Sequence, residues 1–131
     1  KKSITLKIEI DQSELVFGDM NMIKTIFRNI LDNAIKFTNE GGHVSVSSEF
    51  KENYITYAIS DNGVGMTFDQ ISRIVNDKEP ASTYGTHREK GSGLGLLLCK
   101  DFIKKNGGIF DVESTPGVGT VFYVSLKRFQ V

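Results

Sequence analysis

Cysteine is nearly absent from this chain: Cys99 stands alone among 131 residues, so no intramolecular disulfide can form. With that one Cys and only two His, His43 and His87, far apart in sequence, the ligand spacing of a zinc site is missing as well. Excess charge is also lacking. Sixteen basic and sixteen acidic residues balance to a formal net charge of zero, which excludes a nucleic-acid or membrane footprint made by bulk electrostatics. No apolar run reaches the roughly 18 residues of a membrane span, and no signal-peptide pattern is present. The chain therefore reads as soluble, from a reducing compartment, and any ligand must be argued from a local site. Internal repeats and low-complexity segments are missing too. A hydrophobic content of 39% over this length suits a single core and hence one domain, residues 1–131.

What is present alternates between two periodicities. "SITLKIEI" places Ile4, Leu6, Ile8 and Ile10 on one face of an expected half-buried strand, and "ELVF" adds a short second one. The start is already strand-like, so the chain is expected to be a fragment of something longer. Gly18 and Asp19 break and cap, and Ile23, Phe27, Ile30 and Ala34 then recur at steps of four, three and four through a long helix ending near Thr38. "HVSVSSEF" and "YITYAIS", joined by "KEN", predict a β-hairpin. A short helix is expected near "FDQISRIV". From Asn76 to Ser92 periodicity is lost, which predicts a long loop of the length used for functional lids. "GLGLLLCKDFIKKNGG" predicts a helix stopped by Gly107 and Gly108, and "IFDVEST" with "GTVFYVSLK" a second hairpin. Cys99 falls within that helix as core filling. The expected class is α+β: a two-layer sandwich, with a mixed sheet covered by helices on one face.

Several polar constellations interrupt this pattern. Asn29, Asn33 and Lys36 share one stripe of the long helix, opposite the face expected to pack on the sheet. Two amides and an ammonium there suit either a solvated face or a site holding a cation beside an anionic oxygen. Asp61 ends an apolar strand, and Gly63 and Gly65 strip side chains from the turn that follows. That arrangement suits an ordinary Asp-Asn-Gly turn or a carboxylate accepting from the amine of a flat heterocycle. "KGSGLGL" puts Gly91, Gly93 and Gly95 at the mouth of a helix, a hinge or a phosphate-binding start. It is neither a Walker A loop nor a dinucleotide fingerprint. "TPGVGTVF" alone is a hairpin turn leading to Thr120.

In order, "NILDNAIKFT", "DNGVGM", "GSGLGL" and "TPGVGTVF" resemble the N, G1, G2 and G3 boxes of the catalytic ATP-binding domain of sensor histidine kinases, relatives of gyrase B, the Hsp90 chaperones and the MutL repair proteins. The resemblance runs from Ile4 to Leu126. It implies the Bergerat sandwich, with ATP and Mg2+ as cofactors under a mobile lid. By position, Asn33 resembles the magnesium ligand, Asn29 a polar companion near the phosphates, and Lys36 a phosphate contact, the latter two forming the catalytic pair. Asp61 resembles the adenine reader, with Gly65 opening the base pocket and Thr120 assisting, often through water. Gly91, Gly93, Gly95 and Leu96 resemble the segment that closes over the phosphates, and Arg88 and Lys90 suit either a solvated charge run or contacts from the lid to the γ-phosphate. Phe37, Gly63, Met66 and Leu94 complete the implied nucleotide-contacting set. A carboxylate at Asp61 favours the amine of adenine over the carbonyl of guanine, so ATP is expected over GTP.

The resemblance also sorts the function classes. Between the glycine segments the family often has a phenylalanine-rich box, whereas this chain has Phe68 followed by Ile71, Ile74 and Val75. Neither His43 nor His87 resembles the phosphorylated histidine, so a phosphoacceptor and dimerisation domain is expected before residue 1, with a response regulator receiver downstream. The isolated domain is expected to be monomeric and its parent a homodimer. A cytoplasmic domain is implied, in a parent anchored in the inner membrane, with no nucleic-acid partner. ATP-hydrolysing switches of the gyrase, Hsp90 or MutL kind usually carry a glutamate one turn before the magnesium asparagine. Asn29 holds that position here, and an amide is no general base at neutral pH. A nucleotide-binding regulatory module is the third class.

Overall fold

The computed structural model describes residues 3–10, 15–76, 83–84, 90–91 and 94–128. Five strands form one sheet: β1 (Thr5–Glu9), β2 (His43–Lys51), β3 (Tyr54–Asp61), β6 (Ile109–Thr115) and β7 (Gly119–Lys127), in the order β1-β2-β3-β7-β6. The β1–β2 pair is parallel and the others are antiparallel. Helices α1 (Met20–Phe37), α2 (Phe68–Val75) and α3 (Leu94–Lys105) supply the second layer. The expected α+β sandwich with a mixed sheet is the fold observed.

Alternation in the strands explains the two layers. Val44, Val46, Ile59, Val112, Phe122, Val124 and Leu126 point to the helices and are buried, whereas Ser45, Thr56, Ser60 and Ser125 take the other face. Ile26, Ile30 and Ala34 of α1, with Leu96, Cys99 and Ile103 of α3, complete one core. Asp19 caps α1, its Oδ1 accepting the Met22 N–H at 2.9 Å. Asn106, just past α3, accepts the Asp19 N–H at 2.7 Å and donates to the Phe102 carbonyl at 2.7 Å, so one amide ties the start of α1 to the end of α3. Gly107 follows at φ +71°, with Gly108 N–H bonded to Ile103 O and Gly107 N–H to Lys104 O, a Schellman stop.

Three expectations change. The β1 side chains Leu6, Ile8 and Ile10 are 50%, 57% and 40% exposed, and of that apolar set only Ile4 packs against the core. β1 is an edge strand, and the helices pack chiefly over β3 and β6, so alternation there selects a face without burying it. "ELVF" yields no strand in the described residues, only a bridge from Val16 to Arg128. Within the aperiodic stretch after Asn76, β4 (Thr83–Tyr84) and β5 (Lys90–Gly91) pair antiparallel as a separate two-residue ladder.

Candidate functional site

Asp61 is the last residue of β3 and lies opposite Thr120 in the β3–β7 register, so both side chains emerge on the helix-facing side at the same end of the sheet. Both are buried, at 7% and 6% exposure. The Asp61 Oδ1 accepts the Gly63 N–H at 2.8 Å. Burial pushes the Asp61 carboxyl above its ordinary value, against the opposing pull of the Gly63 and Thr120 N–H groups. A buried carboxylate with spare acceptor capacity at a strand end is poised for a donor that arrives with a ligand.

The turn after Asp61 is held on both sides. Val64 N–H bonds to Phe37 O at the end of α1, while Gly117 N–H bonds back to Val64 O from the β6–β7 loop. A Cβ at Gly63 would stand 2.1 Å from Phe37 O, and one at Gly65, where φ is +73°, 2.1 Å from Thr115 O. Both glycines are therefore demanded by close backbone approach. Met66 follows with its N–H on Ser114 Oγ at 2.7 Å, its side chain packed against the core.

Along α1, the stripe Asn29, Asn33 and Lys36 is half-buried. The expectation that it lies opposite the sheet-packed face is corrected: at about 100° per residue, Asn33 falls next to Ile26 and Ile30, so the stripe flanks that face. Asn29 Nδ2 reaches Gly95 O at 3.5 Å, bringing the amide edge of α1 against the start of α3. Asn33's amide makes no hydrogen bond with a described residue. Lys36 Nζ sits 4.9 Å from the centre of the Phe37 ring.

A Cβ at Gly95 would meet Asn29 at ordinary distances of 3.7–3.9 Å, so packing against α1 does not require glycine there. Leu96 is buried in the core. Leu94 begins α3, and Lys90 and Gly91 form β5. Arg88 and Gly93 lie outside the described residues. Phe68 is 86% exposed, and Ile71 and Ile74 instead hold α2 on the core.

The model of the family described as "Histidine kinase-, DNA gyrase B-, and HSP90-like ATPase" matches residues 18–130. The chain belongs to this family. Family members bind ATP, and the four boxes found in sequence lie within the matched residues. Alginate biosynthesis sensor protein KinB of Pseudomonas aeruginosa is 34% identical over 95% of the chain, and sporulation kinase E of Bacillus subtilis 35% identical over 89%. The chain spans only 20% and 15% of those proteins. The mycobacterial sensor histidine kinase MprB shares the fold, with a TM-score of 0.82 at 24% identity over 98% of this chain and 85% of that one. Within the family, the chain is a catalytic ATP-binding domain of the sensor histidine kinase type.

Sequence reasoning missed Ser114, whose Oγ lies 2.7 Å from Thr120 Oγ1 and 3.0 Å from Gly119 O in addition to its bond from Met66. Strand alternation carried the signal. Ser114 follows Phe110 and Val112 on the inward face, where an apolar residue is expected.

Proposed function

We propose that this domain binds Mg-ATP and presents the γ-phosphate to a histidine on a separate phosphoacceptor and dimerisation domain of the same parent, which then passes it to a response regulator receiver. One observation carries the reading: a buried Asp61 with unused acceptor capacity lies at the sheet end where the clamped glycine turn meets the C-terminal end of α1 at Phe37. Asp61 would accept from the exocyclic amine of adenine, with Thr120 beside it.

The residues present fit a magnesium ion. Asn33 offers an amide oxygen that no described protein group occupies, and such hard neutral oxygens suit a cation that keeps phosphate and water ligands. Bound there, the ion would neutralise charge on the phosphate oxygens. Asn29 and Lys36 extend the polar edge along which the phosphates would lie, and the backbone around Gly95 would approach them without a side chain intervening. The domain positions and polarises, and the nucleophile comes from the partner.

Arg88, Lys90, Gly91 and Gly93 are assigned to closure over the phosphates. The domain is assigned to the cytoplasm; isolated it is a monomer, and its parent is a homodimer anchored in the inner membrane. No helix among the described residues is long and apolar enough to cross a membrane, so the anchor is assigned to another part of the parent.

The test mixes this domain with magnesium, ATP and the separately made histidine-bearing domain. Acid-labile phosphate is expected on the latter and should vanish with Asn33→Ala. Nucleotide binding without transfer would identify a regulatory module instead, and rapid phosphate release without the partner a hydrolase.

A further inference from the structure

We infer that Ser114 is a positioning residue that fixes the polarity of the Thr120 hydroxyl, so that the base pocket presents two acceptors and selects an amine over a carbonyl. The inference rests on the adenine-reading role proposed for Asp61.

A serine hydroxyl has one proton and two lone pairs. Ser114 Oγ accepts the Met66 N–H at 2.7 Å and donates to Gly119 O at 3.0 Å, a contact in which the carbonyl has no proton to give. Either hydroxyl could donate across the 2.7 Å contact between Ser114 and Thr120; with the serine proton on Gly119 O, we assign that contact to the threonine's proton. Thr120 Oγ1 is then left with lone pairs only on the side shared with Asp61, its partner across the strand pair.

Asp61, ionised, is also acceptor-only. Two acceptors at one strand end match a group with two N–H donors, which is the exocyclic amine of adenine, reached directly or through a water. A base with a carbonyl at that position faces two lone-pair sets and no proton. A freely turning Thr120 hydroxyl would be ambivalent, donating to a carbonyl as readily as accepting from an amine. Ser114 removes that freedom. By holding Met66 as well, the same oxygen fixes the distance between the base pocket and the segment leading into α2.

The probe pair is ATP against inosine triphosphate, which replaces the 6-amine by a carbonyl and leaves sugar and phosphates unchanged. Affinities are measured by calorimetry for the wild-type domain, Ser114→Ala and Ser114→Thr. The ATP preference of the wild type is expected to fall roughly tenfold in Ser114→Ala, the scale of one hydrogen bond. It should be retained in Ser114→Thr, which keeps a hydroxyl. A purely structural role would weaken both nucleotides equally and leave the ratio untouched, and that result overturns the assignment, as does a ratio lost equally in Ser114→Thr. If Ser114→Ala does not fold, the threonine variant and Ser114→Cys, whose thiol is a weak donor, give the same comparison. A wild-type domain that binds both nucleotides equally overturns the Asp61 reading and this inference together. A wild-type preference that survives Ser114→Ala overturns only the inference.

Discussion

At the scale of single residues, the site depends on a charge kept where charge is costly. Asp61 is buried and its carboxyl is raised by that burial, so the folded protein holds its proton more tightly than the unfolded chain does. The Asp61 contribution to stability is then full below the unfolded-state value and is lost as pH rises through the folded one. Replacing Asp61 by Asn removes this dependence. Chemical denaturation of both proteins across the carboxyl range should show the stability difference moving in favour of Asp61→Asn as pH rises, whatever constant offset the amide introduces. A movement the other way would mean the N–H groups of Gly63 and Thr120 outweigh burial. On the adenine-reading role proposed for Asp61, ATP binding has the opposite preference, since it would use the ionised form. Wild-type affinity should decline on acidification from a higher pH than an ordinary carboxylate gives. Asp61→Asn should lose on the order of 1.5–3 kcal/mol of binding free energy at neutral pH and lack that limb.

Among the elements, α2 is held by a neighbour as much as by its own sequence. Its N-terminus carries a capping box, Thr67 with Gln70, but its last carbonyls are served from α3: Lys100 Nζ donates to Ile74 O and, at 3.0 Å, to Val75 O. An ammonium on the C-terminal carbonyls satisfies orphan acceptors and opposes the helix dipole. Lys100→Met keeps the aliphatic stem and removes the donor, at a cost of about 1 kcal/mol. Amides 71–76 should then exchange roughly fivefold faster while those of α1 stay protected. Equal acceleration in α1 would show general destabilisation instead. Such cross-element bonds explain what was legible in sequence. The step of Ile23, Phe27, Ile30 and Ala34 located α1, the Gly107–Gly108 pair located the stop of α3, and the four boxes located Asp61 and Thr120, because each signal is local. Ser114 meets Thr120 only through strand register, and Lys100 meets α2 only through packing. The exposure of β1 depends on where the helices lie, and a two-residue ladder such as β4–β5 is too short to leave a period.

In the whole molecule, one core joins the helices to the sheet, and Cys99 sits inside it. The thiol is fully buried, donates to Ile26 O at 3.4 Å, and is pushed up to about 11 by burial, against the opposing pull of Asn29. Thiolate is the reactive species, so native Cys99 is shielded by both access and ionisation. Labelling with a disulfide reagent must pass through an opening that separates α1 from α3. That same separation breaks the contact of Asn29 with Gly95, and with it the edge assigned to the phosphates. On the phosphate site proposed above, nucleotide and exposed thiol would therefore exclude each other. A ligand at about 100 times its Kd stabilises the bound form by about 2.7 kcal/mol, so Cys99 labelling should slow about 100-fold in saturating ATP when reclosing outpaces the reagent. Slowing of only a few-fold would mean that α3 opens while nucleotide remains bound, which would detach the core at Cys99 from the site at Asn29 and place the phosphate edge on α1 alone.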